Sequence, residues 1–196
     1  MKRVDKIFQT ETEVKRSKFL AYLVPIHQFE SLRSQLRREH PKANHIVWAY
    51  RSINSYDQII EESSDDGEPK GCAGKPVLHV MQGNDLVECG ILIVRYFGGI
   101  KLGTGGMARA YGEAAKAVVY VADLLVYEKE ATLSFFTDYA NMRKWEYITN
   151  SYDGLKIDRE FDEHGARWSI RAGESLIADL QEALKGERIE FLVEYH

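Results

Sequence analysis

Residues 95–111, RYFGGIKLGTGGMARAY, place five glycines within nine positions between an apolar run and a helical pattern. Met107, Ala110, Tyr111, Ala114, Val118 and Val121 recur at helical spacing, which predicts a helix of four to five turns starting near Gly105. Thr104 is its expected cap, with a hydroxyl able to accept a bond from a first-turn N–H. Such a helix start offers free donors and partial positive charge, a chemistry suited to phosphate or sulfate, and Gly103, Gly105 and Gly106 allow close backbone approach. Lys101 and Arg109 add charge there. Arg109 lies in the first turn, where a cation opposes the helix dipole, so a partner is expected: Glu113 one turn on, or an anionic ligand.

Two phosphate-binding motifs can be compared with this loop. A Walker A loop needs Lys and then Ser or Thr directly after its last glycine, but Gly103 is followed by Thr104 and Gly105, so that reading fails. Gly103, Gly105 and Ala108 satisfy GxGxxA, with Glu128 twenty positions beyond. That match is weak, because FGGIKL separates the strand from the motif and an antiparallel pattern follows. The alternative to a ligand is purely geometric: Gly98 and Gly99 turn the chain at positive φ, and Gly105 and Gly106 let the helix press against a strand.

A second chemical candidate is EESSDDGEPKGCAGKP, residues 61–76. Glu61, Glu62, Asp65, Asp66 and Glu68 supply oxygens for a divalent cation or a carboxylate pair, although the spacing is not that of a calcium loop. The competing reading is a solvated loop turned by Asp66-Gly67. His45 alternates with Val47 and Ala49 in an apolar run, which fits a hydrogen-bonded core histidine better than a base. Cys72 has Lys70 and Lys75 nearby to lower its pKa. No catalytic residue, metal set or cofactor is assigned.

A third candidate is a set of cations, Arg16, Lys18, Arg51, Arg95, Lys101 and Arg109, some beside Tyr50, Tyr96 and Phe97. Arginine interleaved with aromatics can hold phosphates and stack on unpaired bases. Alternatively the aromatics fill the core and the cations snorkel. Net charge does not decide: residues 1–130 carry 18 Lys and Arg against 17 Asp and Glu, and residues 131–196 carry 8 against 13. Binding of nucleic acid by bulk charge is thereby disfavoured, leaving a local basic patch. Two cysteines 17 positions apart suggest neither a zinc site nor a disulfide framework. No run reaches the roughly 20 apolar residues of a membrane helix, and MKRVDKIFQTETEV lacks a signal-peptide centre, so a cytoplasmic protein is expected.

The elements that must position these groups follow from periodicity. Strands are expected around Phe8, at FLAYLV (19–24), at NHIVWAYR (44–51) and at LVECGILIVRYF, with a helix presenting Phe29, Leu32 and Leu36 and ending before Pro41. From residue 131 the order reads strand (Leu133, Phe135), helix capped by Asp138 (Met142, Trp145, Ile148), hairpin around DEHG, helix (Ile177, Leu180, Leu184) and strand (Ile189 to Tyr195). That βαββαβ order is the ferredoxin-like split unit. The fold class is therefore α+β. The expected domains are 1–128 and 132–196, joined by the charged segment YEKEAT, residues 127–132.

RYFGGIKLG and TGGMARAY, with RSKFLAYL (16–23), ANHIVWAYR (43–51) and DDGEPKGCAGKP (65–76), closely resemble the blocks of the YigZ/IMPACT family, in family order. One departure is Lys70-Gly71-Cys72, where the family usually has a small residue and then Gly-Thr. The resemblance implies an N-terminal domain similar to elongation factor G domain IV and a C-terminal domain similar to its domain V. It also implies a non-enzymatic, translation-related regulator whose partner is RNA, the ribosome or a ribosome-associated protein. The candidate binding residues, from the cation set and the helix start, are Arg16, Lys18, Arg51, Arg95, Lys101, Gly103, Thr104, Gly105, Gly106 and Arg109. The rival expectation is a small-anion binder or hydrolase using the helix start and the acidic loop. Oligomeric state stays open.

Overall fold

The computed structural model describes residues 1–195, and the chain divides into two compact units, Met1–Tyr127 and Glu128–His196. In the first unit, strands β2 (Phe8–Val14), β3 (Ser17–Pro25), β4 (His45–Ile53), β5 (Ile59–Ser64) and β6 (Cys89–Tyr96) form an antiparallel sheet of order β2-β3-β6-β4-β5. Strand β1 (Lys2–Arg3) pairs with β7 (Leu125–Val126) in a separate two-stranded antiparallel sheet.

Both faces of this sheet are covered, which explains why β3 and β6 read as almost unbroken apolar runs. Helix α1 (Ile26–Glu39) buries Phe29, Leu32 and Leu36 against Tyr22, Val24, Ile46, Leu92 and Val94. On the opposite face, α2 (Gly74–Gly83) and α3 (Thr104–Tyr120) cover Phe19, Ala21, Leu23, Val47, Ala49, Ile91 and Ile93. The long apolar burial on each side of β6 makes it the centre of the first core.

The segment expected to be a loop from 61 to 76 is more structured than its composition suggests. Its first four residues end β5, and its last three open α2. Pro76 is compatible with that helix because it occupies the first turn, where its missing N–H has no helical acceptor to lose. The first helical bond runs from the Val77 N–H to the Ala73 carbonyl.

In the second unit, β8 (Glu130–Asp138), β9 (Lys156–Phe161), β10 (Gly165–Gly173) and β11 (Phe191–Tyr195) form an antiparallel sheet of order β11-β8-β10-β9. Helices α4 (Met142–Asn150) and α5 (Glu174–Gly186) bury Trp145, Ile177, Leu180 and Leu184 with Leu133, Phe135, Trp168 and Ile170. Phe135 and Trp168 stack with their ring centroids 5.7 Å apart. Asp138 does not cap α4 directly. It accepts bonds from the Asn141 backbone and side chain, and Asn141 sits at the cap.

Candidate functional site

The two loops singled out by composition differ in what their charged groups touch. In the acidic loop Asp65, Asp66 and Glu68 are all engaged. Asp65 accepts the backbone N–H of Gly71 at 2.8 Å, of Ala73 at 3.0 Å and of Gly74 at 2.9 Å, so it closes the loop and caps α2 from a distance. Burial pushes its carboxyl pKa up, but these three donors and Lys75 outweigh it and hold the group below its ordinary 3.8. Asp66 takes the Arg37 guanidinium at 2.9 Å on one oxygen and the Ile46 N–H at 2.7 Å on the other. Among the described residues, no three of the His, Cys, Asp and Glu side chains converge in a way that could hold a metal ion.

Glu68 is the buried member. Its carboxylate pairs with Arg95 and accepts the Tyr111 hydroxyl at 2.8 Å, tying the loop to β6 and α3. Burial, then the Glu68 carboxylate, pushes the Tyr111 phenol far up, so it serves as a donor. His45 donates from Nδ1 to the Asp66 carbonyl at 2.8 Å and presents Nε2 3.8 Å from Glu68. It acts as a hydrogen-bonded, half-buried histidine between sheet and loop. Neither reading of the loop as a catalytic carboxylate pair nor as a solvated run describes it. It is a clamp.

Two of the cations named from sequence are removed from any exposed surface. Arg51 is 7% exposed, donating to Glu61 at 2.7 Å and to the Leu86 carbonyl at 2.7 Å. Arg95 is 5% exposed and held by Glu68. Both alternate with core residues on the α2 and α3 face of the sheet, so burial demanded carboxylate or carbonyl partners inside the fold. Lys18 is exposed but paired with Glu11 at 3.0 Å.

The remaining cations come together at one end of the first unit. The β2–β3 hairpin turns through Lys15 and Arg16, with φ of 47° and 64°. This geometry favours Asn-Gly, and for L-residues the left-handed region costs about 1–2 kcal/mol each. Two long cations are thus kept at a tip that other residues would form more easily. The tip is pinned by Gly98, whose N–H donates to Ser17 Oγ at 3.2 Å. A Cβ at Gly98 would sit 2.1 Å from the Arg16 carbonyl carbon, which is why no larger residue fits.

Beyond Gly98 the chain is open until Gly103, at φ 71°, precedes α3. Thr104 does not cap this helix. It is the first helical residue, Gly103 occupies the cap position, and no side chain bonds the cap. The first helical bond runs from the Met107 N–H to the Gly103 carbonyl, which leaves the amides of Thr104, Gly105 and Gly106 without an acceptor among the described residues. Nor do Gly105 and Gly106 mark a tight approach to a strand. A Cβ on Gly105 would meet nothing within 4 Å, and one on Gly106 only the Leu102 side chain at 3.3 Å.

Arg109 donates to the Gly105 carbonyl at a long 3.4 Å, while Glu113, its expected partner, instead pairs with Lys116 at 3.0 Å. Lys15, Arg16 and Lys101 are exposed, and none forms an ion pair among the described residues. Val14, Lys15, Leu102, Gly106, Arg109, Ala110 and Glu113 line a groove of about 380 Å³ between the hairpin and α3. Lys15 was missed from sequence. Its signal is the two-residue spacing between the strand patterns ending at Val14 and beginning at Ser17, which fixes it at the hairpin tip.

A mixed α+β unit with this pinned glycine loop defines the class of protein. The Impact N-terminal domain matches residues 15–119, and the chain belongs to the IMPACT family. An IMPACT family member of Haemophilus influenzae is 36% identical over 145 residues, covering 72% of this chain and 70% of that one. The IMPACT family member YigZ of Escherichia coli is 32% identical over 157 residues, covering 76% and 74%. A crystal structure described as that of a hypothetical protein aligns over 98% of this chain and 95% of its own with a TM-score of 0.64 and 24% identity, which establishes a shared fold. Among the described residues no helix is long and apolar enough to cross a membrane.

Proposed function

We propose that this chain is a non-enzymatic, translation-related regulator that binds ribosomal or other structured RNA through the end of the first unit formed by Lys15, Arg16, Lys101, Arg109 and the start of α3. One observation carries the reading: among the described residues, exposed cations without carboxylate partners lie beside three helix-start amides without acceptors. A phosphate backbone supplies both needs together, as charge and as oxygen acceptors. The family resemblance to a ribosome-contacting domain of elongation factor G supports the same partner.

Contacts of this kind position the protein without reading bases, so affinity is expected to depend on salt far more than on sequence. Cosedimentation with ribosomal subunits over a salt series tests the proposal. Binding is expected to weaken in the Lys101→Glu, Arg109→Glu double variant, with the difference shrinking as salt rises. Unchanged binding at every salt concentration would reject this surface.

The groove beside Arg109 favours a second reading, a small-anion binder or hydrolase. In that case inorganic phosphate binds the isolated protein, and turnover in a phosphatase and nuclease screen is lost in the same double variant. Participation of the acidic loop is disfavoured, because Asp65, Asp66 and Glu68 already serve the fold.

A further inference from the structure

Of the three aromatic residues beside the cations, two belong to the α1 side of the sheet. Tyr50 stacks on Trp48, and the Tyr96 hydroxyl meets His40 Nδ1 at 2.8 Å. Phe97 differs. It follows Arg95 just beyond β6, and the Arg95 guanidinium lies over its ring, 5.8 Å from the centroid. Its backbone N–H donates to Asn44 Oδ1 at 2.8 Å, and the Asn44 N–H in turn donates to the Arg95 carbonyl at 2.9 Å. The ring therefore has a fixed root and a buried cation beneath it, yet the residue is 46% exposed. Ile100, 41% exposed, lies in the same loop, and Gly98, the residue directly after Phe97, is bonded to Ser17 beside the Arg16 tip.

A half-exposed phenyl ring in a loop that also carries the exposed Lys101 and borders the Arg16 tip is costly for a surface that meets only phosphate, since apolar area gains nothing from an anion. It suits a ligand that alternates charge with flat apolar faces. We infer that the glycine-loop surface accepts single-stranded RNA, with an unpaired base stacked on Phe97 against Ile100 and the flanking phosphates held by Lys101, Arg16 and the α3 amides. This inference rests on the RNA-binding reading above and narrows it. In a duplex the base faces are stacked within the helix and closed to the ring, whereas every unpaired base offers a face irrespective of sequence. Arg95, fixed by Glu68, polarises the ring from below and is a positioning residue.

The test uses the full chain, with fluorescence anisotropy on a twelve-nucleotide oligoadenylate, a hairpin duplex of equal phosphate number and a polyphosphate of equal charge. Wild type is expected to bind the single strand most tightly. Phe97→Leu is expected to weaken that binding roughly tenfold, and Phe97→Trp to preserve it, as stacking contributions of single bases imply. Neither change should alter polyphosphate binding or the melting temperature. Equal binding of the single strand by Phe97→Leu and wild type overturns the stacking inference, as does a duplex bound more tightly than the strand. If the Lys101→Glu, Arg109→Glu variant still weakens nucleic-acid binding, the broader RNA reading survives that failure. If the double variant changes nothing, the broader reading fails too. Polyglutamate that competes as well as the oligonucleotide also overturns the inference, in favour of an acidic protein segment.

Discussion

The acidic loop at 65–74 and the glycine loop at 97–106 are both conspicuous for composition, yet their polar groups behave in opposite ways. In the first, Asp65, Asp66 and Glu68 are matched to backbone amides, two arginines and a tyrosine within the fold. In the second, three helix amides and Lys101, with Lys15 and Arg16 on the adjoining hairpin tip, have no such match among the described residues. Charge density in sequence is therefore a poor guide to where a ligand goes. The informative quantity is what remains unmatched after folding, because a group already paired inside the protein has little to offer a partner.

The sharpest way to break this contrast is Glu68→Ala. It strands the Arg95 guanidinium in the core, and removal of one member of a buried pair typically costs about 3–5 kcal/mol. Urea unfolding is expected to show the loss. A change below about 0.5 kcal/mol would mean that the loop is not a clamp. Gly98→Ala is expected to follow at about 1–3 kcal/mol, since the new methyl must displace the Arg16 backbone.

Asp65→Asn should destabilise by about 1–3 kcal/mol at neutral pH by weakening three charge-assisted bonds. The pH dependence gives a sign to check. Because the folded pKa is depressed below 3.8, the Asp65 contribution is fully present above the unfolded-state pKa and is lost as pH falls through the folded value. The gap between wild type and Asp65→Asn is accordingly expected to be constant above about pH 5 and to close below about pH 4. A gap that widens with acid would contradict the assignment.

In the glycine loop the expected stability effects are small. Gly105→Ala is predicted to stabilise by up to about 1 kcal/mol, since the site is open and alanine favours a helix. Lys101→Glu with Arg109→Glu should leave the unfolding free energy within about 0.5 kcal/mol of wild type. The same pair should lower the dependence of log affinity on log salt by about one for each phosphate that is no longer neutralised. A large drop in stability there would place the cations with the clamp residues and erase the contrast.

The architecture of the second unit was readable because its strands alternate cleanly and its helices repeat apolar residues every three or four positions, as at Trp145, Ile177, Leu180 and Leu184. In the first unit, the buried strands and α3 were equally legible. Strand β5 was not, because its exposed edge position gives Ile59 to Ser64 no alternation. Helix α2 was hidden by glycine and proline in its first turn. The burial of Arg51 and Arg95 was concealed for another reason. Their partners Glu61 and Glu68 lie 10 and 27 residues away; the β4–β5 register sets Glu61 opposite Arg51, and the path of the loop after β5 brings Glu68 to Arg95.

The strand order carries a consequence for how the chain reaches this state. Strands β2 and β3, and strands β4 and β5, are sequence neighbours and can pair locally, but β3 and β4 never touch, because β6 lies between them. Until residue 96 has left the ribosome, each hairpin therefore exposes one bare apolar edge intended for a strand not yet made. Closure of the sheet requires β6 to insert and to pair with β3 across some seventy positions of sequence, a late and non-local step that slows folding. Fragments ending before Cys89 consequently carry two sticky edges, and association between such fragments is the failure this topology invites during synthesis.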